Sequence, residues 1–197
     1  MPAAAAATVG NLVALGGSQR RAFALVPADD ELLDLAAIDA VVQAGADVGR
    51  DIAVLDLRAR ARSGDGEGSL GDALSGRHSP GIAAYRPLRG LTPRLLERVA
   101  PAAISMLERD HDLVLVIADP GASGLLAVLD ANDAAIVPVV WRAATTTSDL
   151  VSLTSRLGVM GIRPLGVIMT HAVGGEIGAV AQSWRNGDGG EFTPRAV

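Results

Sequence analysis

The stretch from Phe23 to Val48 restricts the fold more than any other part of the chain. It opens with a short apolar run, Phe23-Ala24-Leu25-Val26-Pro27, and turns through Ala28-Asp29-Asp30-Glu31. It then continues as an Ala-, Leu- and Val-rich run from Leu32 to Val48. That order predicts a buried strand, a tight turn and a helix, the unit from which parallel sheets are assembled. In nucleotide-binding α/β domains this turn cradles phosphate. Its glycines let backbone N–H groups converge on the anion, and a lysine reaches the outer phosphates. Here Asp29, Asp30 and Glu31 are followed by Leu32 and Leu33, with neither glycine nor lysine in the turn. The three carboxylates suit the positive end of a helix dipole, yet they fill the place of a phosphate and repel it. The expectation is an architecture kept and a chemistry lost.

Composition sharpens that expectation. All 17 basic residues are arginine, which excludes a Walker lysine and Schiff-base catalysis from this chain's own side chains. There is no cysteine, so disulfides, thiolate nucleophiles and cysteine metal sites are excluded as well. A net charge of -5 argues against general nucleic-acid binding, which needs a phosphate-neutralising basic face. No apolar run approaches membrane-span length, and the Met1-Pro2-alanine start lacks the basic region of a signal peptide. A cytoplasmic protein is expected, reaching the inner membrane only through a partner.

Read in order, residues 1–20 form an N-terminal arm or an edge strand. Val9 to Leu15 could be a leading strand, and an alanine-rich mobile arm fits equally well. Strands are expected at Phe23–Val26, Asp51–Leu57, Ile82–Tyr85, Leu113–Ala118, Ala134–Val140 and Leu165–Met169. The helix before Gly49 carries a polar stripe of Asp39, Gln43 and Asp47. A short helix is expected over Leu70–Leu74. Thr92-Pro93 starts a further helix, with Leu95, Val99, Ala102 and Met106 on one face and Pro101 expected to kink or split it. Thr146 and Asp149 have capping-box spacing ahead of Leu150, Leu153 and Leu157. A final helix is expected over Glu176–Trp184, and residues 186–197 form a glycine-rich tail. The alternation predicts one three-layer α/β domain over residues 21–185, a mostly parallel sheet with helices on both faces. Ligand sites in such sheets lie at the carboxyl ends of the strands.

Three segments occur in an order that matches a known family. They are Ile52-Ala53-Val54-Leu55-Asp56-Leu57-Arg58, Gly68-Ser69-Leu70-Gly71-Asp72-Ala73-Leu74-Ser75-Gly76, and His111-Asp112-Leu113-Val114-Leu115-Val116-Ile117-Ala118-Asp119-Pro120. They resemble the second Walker motif, the helix after it and the Walker B strand of bacterial tyrosine kinases. These are the P-loop ATPase domains that accompany exopolysaccharide co-polymerases, relatives of the MinD/ParA-type ATPases. Asp133 to Arg142 and Gly166 to Thr170 resemble two later strands of that family. The resemblance implies a P-loop NTPase-like fold, a place beside capsule or exopolysaccharide synthesis, and oligomers or complexes. The implied partners are a membrane co-polymerase or exporter, or a paralogous kinase.

The departures from the family pattern converge on one point. The Walker lysine position falls near Leu32, the magnesium-binding hydroxyl near Leu33 and the base-reading asparagine on Thr170. The first aspartate of the second Walker motif falls on Val54, leaving Asp56 and Arg58 as matches. Walker B in register puts Ile117 at the acidic position, and Asp119 serves only with a shifted strand. Tyr85 is the only tyrosine, so the phosphorylated tail cluster is missing. No ATP or magnesium is therefore expected, and no metal site. Were the protein active as a kinase or ATPase, Asp56 and Asp119 would hold the metal. A positioning role of the MinD/ParA type is a further alternative.

Other candidates have plainer readings. Gly66-Glu67-Gly68-Ser69-Leu70-Gly71 matches the dinucleotide fingerprint only formally, because it does not follow a strand end directly. Asp119 to Gly124 is not a nucleophile elbow, since Leu125 stands where the last glycine belongs. His78, His111 and His171 lack metal-ligand spacing. Arg58, Arg60, Arg62 and Arg77, with Arg142 at a later strand end, form either a solvated set or a contact for a phosphate or a carboxylate-bearing partner.

Overall fold

In a computed structural model, residues 2–17, 20–29, 35–58, 84–87, 91–141, 145–170 and 177–178 are described. Seven strands form one sheet: β1 (Ala22–Pro27), β2 (Ile52–Asp56), β3 (Ala84–Pro87), β4 (Leu113–Ile117), β5 (Ala135–Trp141), β6 (Ile168–Thr170) and β7 (Ile177–Gly178). Their spatial order is β3-β2-β4-β1-β5-β6-β7; all pairings are parallel except that of β6 with β7. Five helices are described: α1 (Pro2–Gly16), α2 (Leu35–Asp47), α3 (Pro93–Asp110), α4 (Ser123–Ala131) and α5 (Thr147–Val159).

Strand alternation divides the core between two faces. Phe23, Leu25, Val54, Leu115 and Val137 pack with Ala5, Val9 and Leu12 of α1 and Ile38 and Val41 of α2. Ala24, Val26, Leu55, Val116 and Ile136 pack on the other side with α3, α4 and α5. From β1 the chain crosses to β2 over the α2 face. It returns from β3 to β4 and proceeds through β5 to β6 over the α3–α5 face. Right-handed crossovers demand that change of face when the direction of travel reverses. The reversal is centred on β1, whose neighbours β4 and β5 both feed helices on the side opposite α2. The end of β1 is therefore the topological switch point, where α/β sheets open a crevice.

The local signals act as expected at several places. Thr146 and Asp149 form a complete capping box: the Thr146 hydroxyl accepts from Asp149 N–H, and the Asp149 carboxylate accepts from Thr146 N–H. Gly49 has a φ of 72°, the left-handed conformation that ends a helix at low cost when there is no Cβ. Asp39, Gln43 and Asp47 are all exposed, with Gln43 donating to Asp47. Pro138 lies inside β5 without breaking it. Its missing N–H falls on the β6 side, where strand pairing begins only at Val139.

Four expectations are corrected. Residues 9–15 are neither a strand nor an arm but part of α1, which buries Val9 and Leu12 against the sheet and α2. Helix α3 is continuous through Pro101, and its buried face is Leu96, Ala100, Ala103, Ile104 and Leu107. The stripe read from the sequence, Leu95, Val99, Ala102 and Met106, is one residue out of phase and runs along the flank of the buried face, with only Val99 packed against the core. Residues Ile177 and Gly178, expected to begin a helix, instead pair antiparallel with β6. The third strand is described over Ala84–Pro87, and residues 82 and 83 of the expected one lie outside the described residues. The predicted helix at 70–74 and the tail at 186–197 lie outside the described residues. Among the described residues no helix is long and apolar enough to cross a membrane.

Candidate functional site at the carboxyl ends of the strands

Leu25 of β1 lies beside Ile117 of β4 and Val137 of β5, and Asp56 of β2 lies on the far side of Ile117. This register brings Asp29, Asp56, Arg58, Asp119 and Thr145 to one end of the sheet. Thr170, closing β6 opposite Trp141, shares that end.

Asp56 is completely buried, and its charge is answered within two residues. Arg58 donates its backbone N–H and its Nε–H to Oδ1, both at 3.0 Å, and its Nη2–H to Oδ2 at 2.8 Å. A fork of this kind is the strong form of an arginine–carboxylate pair. Both carboxylate oxygens are engaged, and the guanidinium keeps about 20% of its side chain exposed at the strand end. The i, i+2 spacing on an extended chain puts both residues on one face, a signal already present in the sequence.

Asp29, two residues beyond β1, occupies the switch point itself. Its Oδ2 accepts from the Thr145 hydroxyl at 2.8 Å, joining the end of β1 to the segment between β5 and α5. Its Oδ1 is buried and has no hydrogen-bond partner among the described residues. Thr145 was not singled out in the sequence, where it stands 116 positions from Asp29, and no local pattern points to it.

Asp119 follows β4 and is half-buried. The chain there makes a turn, Ala122 N–H to Asp119 C=O at 3.1 Å, and enters α4 at Ser123. Ser123 is exposed at the first position of that helix, which fits the turn reading of Asp119 to Gly124. His111 lies at the opposite end of the sheet, buried, with its Nδ1 2.9 Å from Asp51 Oδ2. Among the described residues no three His, Asp or Glu side chains converge as a metal site. Asp30, Glu31, Leu32, Leu33, Arg60, Arg62, Arg77 and Arg142 lie outside the described residues, as do His78 and His171.

No protein-family model matches the sequence, and no curated protein matches it either. Solved structures do. The tyrosine kinase domain of BceF superposes with a TM-score of 0.63 at 15% identity, covering 87% of this chain and 77% of that one. The kinase domain of the Escherichia coli tyrosine kinase ETK gives 0.62 at 15% identity, covering 95% and 80%. The chimeric protein CapA2B2 gives 0.58 at 13% identity, covering 84% and 82%. The chain thus has the fold of bacterial tyrosine kinase domains, a P-loop NTPase-like α/β architecture. At these identities the likeness is one of fold.

Proposed function

We propose that this protein keeps the kinase/ATPase fold without its nucleotide chemistry, and acts as a scaffold or regulator beside exopolysaccharide synthesis or export. In this reading it works in the cytoplasm, recruited by a membrane co-polymerase, an exporter or a paralogous kinase. Support comes from the sequence resemblance, from the kinase domains that share its fold, and above all from Asp29. A half-buried carboxylate sits at the switch point, one oxygen tied across to Thr145 and the other buried. Two like charges 4 Å apart repel by about 4 kcal/mol near a protein surface, and a triphosphate brings several. Asp30 and Glu31 follow directly in the sequence.

The other groups fit a magnesium nucleotide no better. Arg58 already engages both oxygens of Asp56, so a cation there would have to displace a guanidinium fork. The chain offers no lysine for the outer phosphates. Phosphoryl transfer rests almost wholly on positioning and electrostatic stabilisation. Removing a single such donor costs about 3 kcal/mol of barrier in other enzymes, and here several are missing together.

Calorimetric titration with ATP and magnesium tests the reading, with no heat of binding expected at micromolar protein. Micromolar affinity would overturn it. Phosphate release that disappears in Asp119→Ala would establish instead an active enzyme with an unconventional site.

A further inference from the structure

Helix α3 carries more apolar surface than the sheet uses. Its buried face is complete with Leu96, Ala100, Ala103, Ile104 and Leu107. Beside that face runs a second stripe, Leu95, Val99, Ala102 and Met106, at spacings of four, three and four residues. Leu95 is 39% and Met106 42% exposed, Ala102 is exposed and Val99 half-buried. Helix α4 does not cover it, because α4 packs on the opposite flank, where a Cβ on Gly124 would meet the Glu97 carboxylate. At about 100° per residue, the stripe lies about 170° around α3 from Glu97.

Along the outer side of this stripe stand Arg94, Arg98 and Arg109, all exposed. None of the three has an ion pair among the described residues. Two of the three acidic residues of the helix are turned elsewhere, Glu97 toward α4 and Glu108 half-buried beside Arg21, while Asp110 is exposed at the last position, beyond Met106. In a chain of net charge -5, α3 therefore presents a basic ridge next to a narrow apolar seam.

We infer that the outer face of α3 is a docking surface for an amphipathic helix of a partner protein, apolar at alternating three- and four-residue spacing and flanked by Asp or Glu. The seam is about 16 Å long at 1.5 Å per residue, enough for three turns of a partner helix. Its four-three-four spacing is that of a coiled-coil seam, where side chains interlock with one facing helix. A seam one side chain wide suits a helix better than a bilayer, which takes up a broad apolar face. A second copy packed through the same face would set the arginine ridges against each other, and like charges across an interface cost several kcal/mol. Acidic flanks on a different helix pair with all three arginines. The surface shares no residue with the strand-end site, so the two are tested by different variants.

The 197-residue chain is titrated, without nucleotide, into a fluorescently labelled synthetic helix bearing leucines at seam spacing and glutamates on the flanks. The same helix with lysine flanks and vesicles of phosphatidylserine and phosphatidylcholine serve as comparisons. The glutamate helix should bind, and the lysine helix and the vesicles should not. Leu95→Ser and Arg98→Glu should each weaken binding roughly tenfold or more, the size of an interface anchor loss. Both positions are exposed, and unchanged thermal melts confirm that the variants fold. Absence of binding, equal binding of both helices, or indifference to both variants overturns the inference. So does preferential binding to the vesicles, or self-association in sedimentation that Met106→Ser abolishes.

Discussion

Replacing Arg58 by alanine removes the guanidinium fork from a carboxylate that has no exposure to water. Hydrogen bonds to charged groups contribute about 1.5–3 kcal/mol each, and breaking a buried pair by removing one partner costs about 3–5 kcal/mol. Two features pull the figure toward the lower end. The Arg58 backbone N–H still reaches Asp56 in the variant, and the guanidinium it loses was partly exposed. About 3 kcal/mol is expected, which for a domain near 200 residues lowers Tm by about 6–12 °C. Thermal and urea unfolding followed by circular dichroism would measure it. The doubly substituted Asp56→Leu, Arg58→Leu protein should recover much of the loss, since apolar replacement of both partners leaves no orphaned charge. Arg58→Lys should fall between, keeping charge without the fork. A loss below about 0.5 kcal/mol in Arg58→Ala, small against the cost of breaking a buried ion pair, would refute this account of the pair. A double variant worse than the single one would refute it too.

Three further outcomes follow from the geometry. Thr146→Ala should cost about 1 kcal/mol by deleting the α5 cap. The Thr146 hydrogen bonds, side chain first and backbone second, hold the Asp149 carboxyl below its ordinary range. That contribution is present above the unfolded carboxylate pKa and fades as pH falls through the depressed folded value, so the gap between wild type and variant should narrow in acid unfolding series, with the Asp149 N–H to Thr146 hydroxyl bond left. Gly49→Ala should cost about 1 kcal/mol in urea titrations, because φ is 72° there and a Cβ strains the left-handed conformation. Burial raises the Glu108 carboxyl pKa, with Arg21 opposing and Asp133 adding to the shift. The sign is the reverse of Asp149: the folded state disfavours the charged form, a penalty absent below the unfolded pKa and complete above the folded one. Glu108→Gln should thus be no less stable than wild type at neutral pH, and should lose any advantage in acid.

Most of the architecture is written in local pattern. The apolar runs at 22–27, 52–56, 113–117 and 135–141 alternate with helical segments, and only a parallel sheet covered on both faces buries them all. What escaped the sequence has identifiable causes. Helix α1 begins in a run of alanines whose two faces differ little in hydrophobicity, so Val9 and Leu12 read as well for a strand as for a helix. On α3, two apolar stripes lie one residue apart, and periodicity alone cannot say which one meets the sheet. Strand β7 is two residues long, too short for any periodic signal.

The candidate site divides along the same line. Asp56 with Arg58 is a local pair, legible from its spacing. Asp29 was legible as an anomaly, a carboxylate where glycine was needed. Its tie to Thr145 depends on β1 and β5 lying side by side, and tertiary structure alone supplies that.

The central claim, that the end of β1 no longer accepts a triphosphate, is tested most directly by thermal unfolding with saturating ATP and magnesium. A ligand at a hundred times its Kd stabilises the folded state by about 2.7 kcal/mol, which for a domain of this size raises Tm by about 5–11 °C. The account predicts no change in Tm when millimolar ATP and magnesium are added. A rise of several degrees that grows with nucleotide concentration and vanishes without magnesium would contradict it.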